Sequence, residues 1–97
     1  MHIGILQFTF QIPHAASLKD KRSVVRSMKD RLRQRFNISI AEVDDHDQMT
    51  VGTLGAAMVG TDVRYINGAL DKIVDALEEW RDAVLDDHQI EILNPNP

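Results

Sequence analysis

The 97-residue chain has no cysteine, which excludes disulfides and thiol chemistry and agrees with a cytoplasmic protein. It has no apolar stretch near the roughly 20 residues that span a bilayer, so no membrane partner is expected. No basic segment leads into an apolar block with a small-residue cleavage site, and a secretory signal is not expected either. Aromatic residues make up only 5% of the chain, and its three prolines include two in the closing Asn94-Pro95-Asn96-Pro97. That tail, residues 94–97, reads as disordered, because Pro cannot continue a ladder and Asn favours turns. Also missing are a phosphate-cradling glycine loop, a nucleophile elbow and a zinc-binding helix; Gly52, Gly55 and Gly60 are too scattered to replace the first. No catalytic residue, cofactor or small-molecule substrate is therefore indicated, and an enzyme is the least supported class.

What is present suits one small domain over residues 1–93. In the opening HIGILQFTFQI, Leu6, Phe8, Phe10 and Ile12 alternate with Gln7, Thr9 and Gln11, the pattern of a strand with one buried face. Pro13 stops it. Ser17 with Asp20 three residues on forms a capping-box-like start for a helix that ends at Asn37. Leu18, Val25, Met28, Leu32 and Phe36 share one side of that helix, with Val24 at the stripe's edge. NISIAEV reads as a second strand, DDHD as a polar turn and MTVGTLGAAMV as a third strand. A second helix spans about residues 62–81, capped by Thr61 and carrying Ile66, Leu70, Ile73, Leu77 and Trp80 at 3-to-4 spacing. The closing AVLDDHQIEIL alternates at Ile90 and Ile92 and is read as a strand of uncertain start. Strand, helix, strand, strand, helix, strand with two right-handed crossovers gives an α+β, ferredoxin-like arrangement: a four-stranded antiparallel sheet with both helices on one face. That fold hosts many activities and settles none.

The charge is unevenly spread. Eight of the eleven Lys and Arg residues fall between Lys19 and Arg35, opposed only by Asp20 and Asp30. The segment thus carries +6 in a chain of net charge −4. Lys19, Arg22, Arg26, Lys29 and Arg33 are spaced 3, 4, 3 and 4 apart, within an arc of about 80° and along about 21 Å of helix. Like charges at this spacing repel by a few tenths of a kcal/mol per pair. An anionic partner would offset that repulsion, and five phosphate contacts imply a salt slope of roughly −3.5 to −4.5. The alternative is a solvated face, or one paired by the chain's own carboxylates; charge patterning alone does not separate the two. If the partner is RNA, the third strand offers no aromatic for stacking, so contact would run through the helix side and read phosphate and shape.

Three other features compete. Asp44-Asp45-His46-Asp47 and Asp86-Asp87-His88 have the residue types of a hard-metal or acid–base site. In extended chain, however, adjacent residues alternate faces, and the strand order puts the two clusters at opposite sheet edges, so exposed acidic turns are the better reading and no metal site is assigned. His2 and His14 have no identifiable partner. Glu42, in an otherwise apolar strand, needs a cation if buried, and Lys21 or Arg35 on the other flank of the first helix could supply it as a structural ion pair. Ile3, Ile5, Val51, Ala57 and Val59 fall on the sheet face away from the helices, where a half-apolar surface could make a homodimer or dock a partner.

Ser17-Leu18-Lys19-Asp20-Lys21-Arg22, continuing through Val24-Val25 and Leu32 to Arg35-Phe36-Asn37, then Ser39 and Ala41-Glu42-Val43, resembles the YlxP-like family of small bacterial proteins. Asp47, Thr53-Leu54-Gly55 and the alternation to Ile92 extend the likeness over nearly the whole chain. The resemblance implies a ferredoxin-like fold and, because such proteins often sit among genes for translation and ribosome maturation, ribosomal RNA or a ribosome-assembly partner. Lys19, Lys21, Arg22, Arg35, Phe36, Ser39 and Glu42 match the shared motif, which carries no catalytic residues. Where many relatives place Trp after the hairpin aspartate, this chain has Met49. The expectation is a non-enzymatic domain that binds RNA or a ribosomal particle through the first helix, with a homodimeric scaffold using the sheet face as the alternative.

Overall fold

In the computed structural model, described over residues 1–95, the chain folds as β1 (His2–Gln11), α1 (Leu18–Arg35), β2 (Ser39–Asp44), β3 (Val51–Gly60), α2 (Val63–Glu78) and β4 (Val84–Leu93). The strands form one antiparallel sheet in the order β2-β3-β1-β4, the ferredoxin-like arrangement. Asn94 and Pro95 have no regular secondary structure; of the expected tail, Asn96 and Pro97 lie outside the described residues.

The alternation in β1 sets the layers. Leu6, Phe8, Phe10 and Ile12 are buried, and register carries their face to Ala56 and Leu54 on β3 and to Ile40 on β2. Met28 and Leu32 of α1 and Ile66, Leu70 and Ile73 of α2 close the core from one side. At 25 cal/mol per Å2, each such aliphatic or aromatic side chain contributes about 1.5–3 kcal/mol on burial. The opposite face, with Ile3, Ile5, Gln7, Val59 and Leu93, stays uncovered.

Three boundaries differ from the sequence expectation. The cap of α2 is Asp62, not Thr61: its Oδ1 accepts from the Arg64 N–H at 2.9 Å, and a carboxylate at the positive end of a helix serves better than a neutral hydroxyl. The helix also stops at Glu78 rather than continuing to Arg81, so Trp80 lies beyond its end, held by an N–H bond to the Leu77 carbonyl at 3.2 Å. The first helix stops at Arg35, with Phe36 as its C-cap, just short of Asn37. Its start is a variant of the capping box: Ser17 Oγ accepts from the Asp20 N–H at 3.0 Å, while Asp20 Oδ2 accepts from the N–H of Ala16, one residue before the cap, at 2.9 Å.

Close helix–sheet approach depends on a missing side chain at Gly4. A Cβ there would lie 2.3 Å from Ile66 Cγ2 and 3.0 Å from Leu70 Cδ1, both on fully buried residues with no space to retreat. Gly4→Ala is expected to destabilise the fold by about 1–3 kcal/mol, the range for overpacking, measured as a lower urea midpoint at unchanged slope.

Candidate nucleic-acid interface

Helix α1 rests on the sheet through Val25, Met28 and Leu32, and one cation lies among them. Lys21 is 1% exposed. It stands three residues from Leu18, four from Val25 and seven from Met28, so helical phase alone brings it under the apolar stripe. Its Nζ is 3.0 Å from Glu42 Oε2 and donates a hydrogen bond to the Asp45 carbonyl. Glu42 faces the helices because its register partner is the core residue Leu54. Its Oε2 is buried at ion-pair distance but off the direction of a hydrogen bond, so the contact is Coulombic. Arg35, the other cation considered for Glu42, does not fill this place: its guanidinium lies over the Phe36 ring, 5.2 Å from the centroid.

The turn after β2 is built around the same cation. Asp45 has φ 59, a left-handed conformation that Asp adopts more readily than most residues. Thr53 Oγ1 donates to its Oδ2 at 2.6 Å, its own N–H donates to Asp44 Oδ1 at 2.8 Å, and its carbonyl accepts from the Gln48 N–H at 3.0 Å as well as from Lys21. Asp45 therefore organises the turn, while Asp44, His46 and Asp47 are exposed. The second acidic cluster is on β4, across the sheet from β2. Among the described residues no three His, Asp or Glu side chains gather into a metal-holding group. His2 is half-buried and His14 exposed.

With Lys21 turned inward, the outermost line of α1 passes through Ser23 and Ser27. These short side chains floor a shallow depression of about 580 Å3 walled by Lys19, Arg22, Arg26 and Arg31, with Asp30 also on its rim. Lys19, Arg22 and Arg26 are exposed, and among the described residues none has a carboxylate at ion-pair distance. Of the other two members of the expected row, Lys29 is half-buried and Arg33 is exposed. Arg33 Nη1 lies 3.5 Å from Asp30 Oδ1 between side chains 46% and 54% exposed, a solvated pair of the kind that contributes little. Lys19, Arg22 and Arg26 thus share this depression with Arg31, whereas Lys29 and Arg33 lie outside its lining.

The sequence places Arg31 on the flank of α1 shared with Lys21 and Arg35 and Trp80 on the stripe of α2, but does not bring the two together. The Arg31 guanidinium lies 4.3 Å from the centroid of the Trp80 ring, and Arg31 also walls a second depression, of about 220 Å3, shared with Arg35, Trp80 and Arg81. The chain's one tryptophan was expected on the buried stripe of α2; the early end of that helix brings it to the rim instead, half-buried. Arg31 is ten residues on from Lys21, placing it on the flank of α1 that meets α2, a relation that needs the tertiary arrangement to become visible.

The profile of DUF503, described as a protein of unknown function, matches residues 3–90. The chain belongs to that family. For this DUF503 domain, comparison with curated proteins gives no match. No helix among its described residues is long and apolar enough to cross a membrane.

Removing either partner of the inward pair leaves the other stranded. Lys21→Ala and Glu42→Ala are each expected to lower unfolding free energy by about 3 kcal/mol, at the lower end of the range for breaking a buried pair because Glu42 keeps partial access to water. Lys21→Met combined with Glu42→Leu should recover most of that loss, so denaturant titration of the three variants should show strong non-additivity.

Proposed function

We propose that this protein is a non-enzymatic domain that binds RNA through its phosphate backbone, using the outer face of α1. One observation carries this reading: in a chain of net charge −4, Lys19, Arg22 and Arg26 project from a single outward face without internal carboxylate partners among the described residues. Helix stability alone would favour Glu between them, as Asp71, Asp75 and Glu78 appear on α2 and Glu79 at its C-cap. Cations held in a row gain by releasing counterions from a polyphosphate. The YlxP-like resemblance favours ribosomal RNA or a ribosome-assembly particle over other polyanions, and with it a cytoplasmic site of action.

A second reading, a homodimeric scaffold, is favoured by the uncovered sheet face, where Val59 is 62% and Val43 49% exposed beside half-buried Ile3 and Ile5.

The readings separate by two measurements. Labelled RNA titrated at several salt concentrations should bind with a steep negative salt slope. Arg22→Glu with Arg26→Glu should flatten that slope by about one for each lost contact and abolish most of the affinity at moderate salt. Affinity that ignores both salt and these substitutions removes the first reading. Light scattering tests the second: a mass that doubles with concentration and returns to the monomer in Val59→Glu supports a sheet-mediated dimer, and a monomer at every concentration rules it out.

A further inference from the structure

The two depressions on the helix side are not independent. Arg31 is a wall of both, so the cationic line of α1 leads directly into the notch formed with Trp80, Arg35 and Arg81. The notch differs from the line in kind. It combines an aromatic ring with three guanidinium groups, and only Glu79 among its lining residues is acidic. Its volume of about 220 Å3 is below the roughly 300–1,000 Å3 of pockets that enclose a drug-sized ligand. It therefore has room for one planar ring system, with anything attached to that ring left outside.

We propose that this notch receives an unpaired base of single-stranded RNA, stacked on the Arg31–Trp80 pair, while the phosphates on either side of that base meet Arg35, Arg81 and the cations of α1. The inference rests on the polyanion reading of α1 and narrows it from RNA in general to RNA with an unpaired nucleotide. The physical grounds are these. The Arg31 guanidinium carbon already lies over the indole, 4.3 Å from its centroid, and because Arg31 is exposed the outward side of that guanidinium is the surface on which a base stacks. The Trp80 ring is half-buried against the core, so it is a fixed platform and loses little freedom on binding. The guanidinium groups around it disfavour a cationic or neutral apolar occupant and favour one flanked by negative charge. A paired base cannot present its ring face to such a platform, which is why the occupant is single-stranded.

Trp80 is the chain's only tryptophan, so its emission reports on the notch in the intact protein. The probes are an oligoadenylate of about ten nucleotides, within the span of strand lengths that small single-strand-binding domains cover, together with inorganic polyphosphate of comparable charge, an RNA duplex and adenosine monophosphate. The oligoadenylate is expected to change Trp80 emission saturably and to bind about five- to a hundredfold more tightly than polyphosphate, the gain from one stacked base. Arg31→Ala should reduce that preference toward unity, while polyphosphate, which has no base to stack, weakens only by the one lost charge contact; Trp80→Phe, followed with labelled probes because its emission is gone, should keep most of the preference. Trp80→Ala should also remove it, and if circular dichroism shows that this variant is unfolded, Arg31→Ala decides the question. Polyphosphate and oligoadenylate bound equally, or duplex bound as well as single strand, would overturn the stacking inference and leave the phosphate reading of α1 intact. Adenosine monophosphate bound as tightly as the oligomer would overturn the link between notch and helix. Binding of none of the probes would remove both readings.

Discussion

The placement of the Lys21 ammonium is the constraint on which the outward cationic surface of α1 depends. It sits between a β2 carboxylate and the carbonyl of a left-handed aspartate, joining α1 to the sheet edge and to the β2–β3 turn at once. An isolated charge in that position would be strongly unfavourable, so the helix has little freedom to rotate away from the phase that pairs it. Fixing that phase fixes everything on the opposite side. Ser23 and Ser27 become the outermost residues, and Lys19, Arg22 and Arg26 are held outward where no carboxylate of the described residues reaches them. The buried cation and the exposed ones are thus parts of one arrangement.

The architecture was largely readable from residue order because it follows from two periods. Alternation at Leu6, Phe8 and Phe10 and the 3-to-4 spacing at Ile66, Leu70, Ile73 and Leu77 each name a single buried face, and all seven residues are buried. Lys21 as the cation for Glu42 was one of two candidates. Its depth was also present in the sequence, since its spacing to Leu18, Val25 and Met28 is that of the apolar stripe, but a lysine is ordinarily placed at a flank. The Arg31–Trp80 contact was not readable: it depends on where α2 ends and on how the two helices approach, neither of which local spacing specifies. A continued helix would have kept Trp80 on the stripe, and only the turn at Leu77–Trp80 moves it to the rim.

Charge and layer order reinforce one another. The helices cover one side of the sheet, so the positive segment and the half-apolar sheet face point in opposite directions. The remainder of the chain is strongly acidic, with Asp71, Asp75, Glu78 and Glu79 on or just after α2 and Asp86, Asp87 and Glu91 on β4. Such a distribution favours approach of a polyanion to α1 and repels it from the other elements, an orienting effect that fades as salt shortens the screening length.

The two outer strands share a feature with a consequence for how molecules of this protein behave in a crowd. Pairing slips between Glu42 and Asp44 on β2, and on the other side the β1–β4 register shifts at Thr9/Phe10. Each margin of the sheet is therefore interrupted by an irregularity that bends the free backbone out of line. A neighbouring chain finds as regular backbone only Ser39–Glu42 on β2 and Asp87–Leu93 on β4, so each irregularity shortens the row of amide groups open to lateral growth without any proline inside the strands.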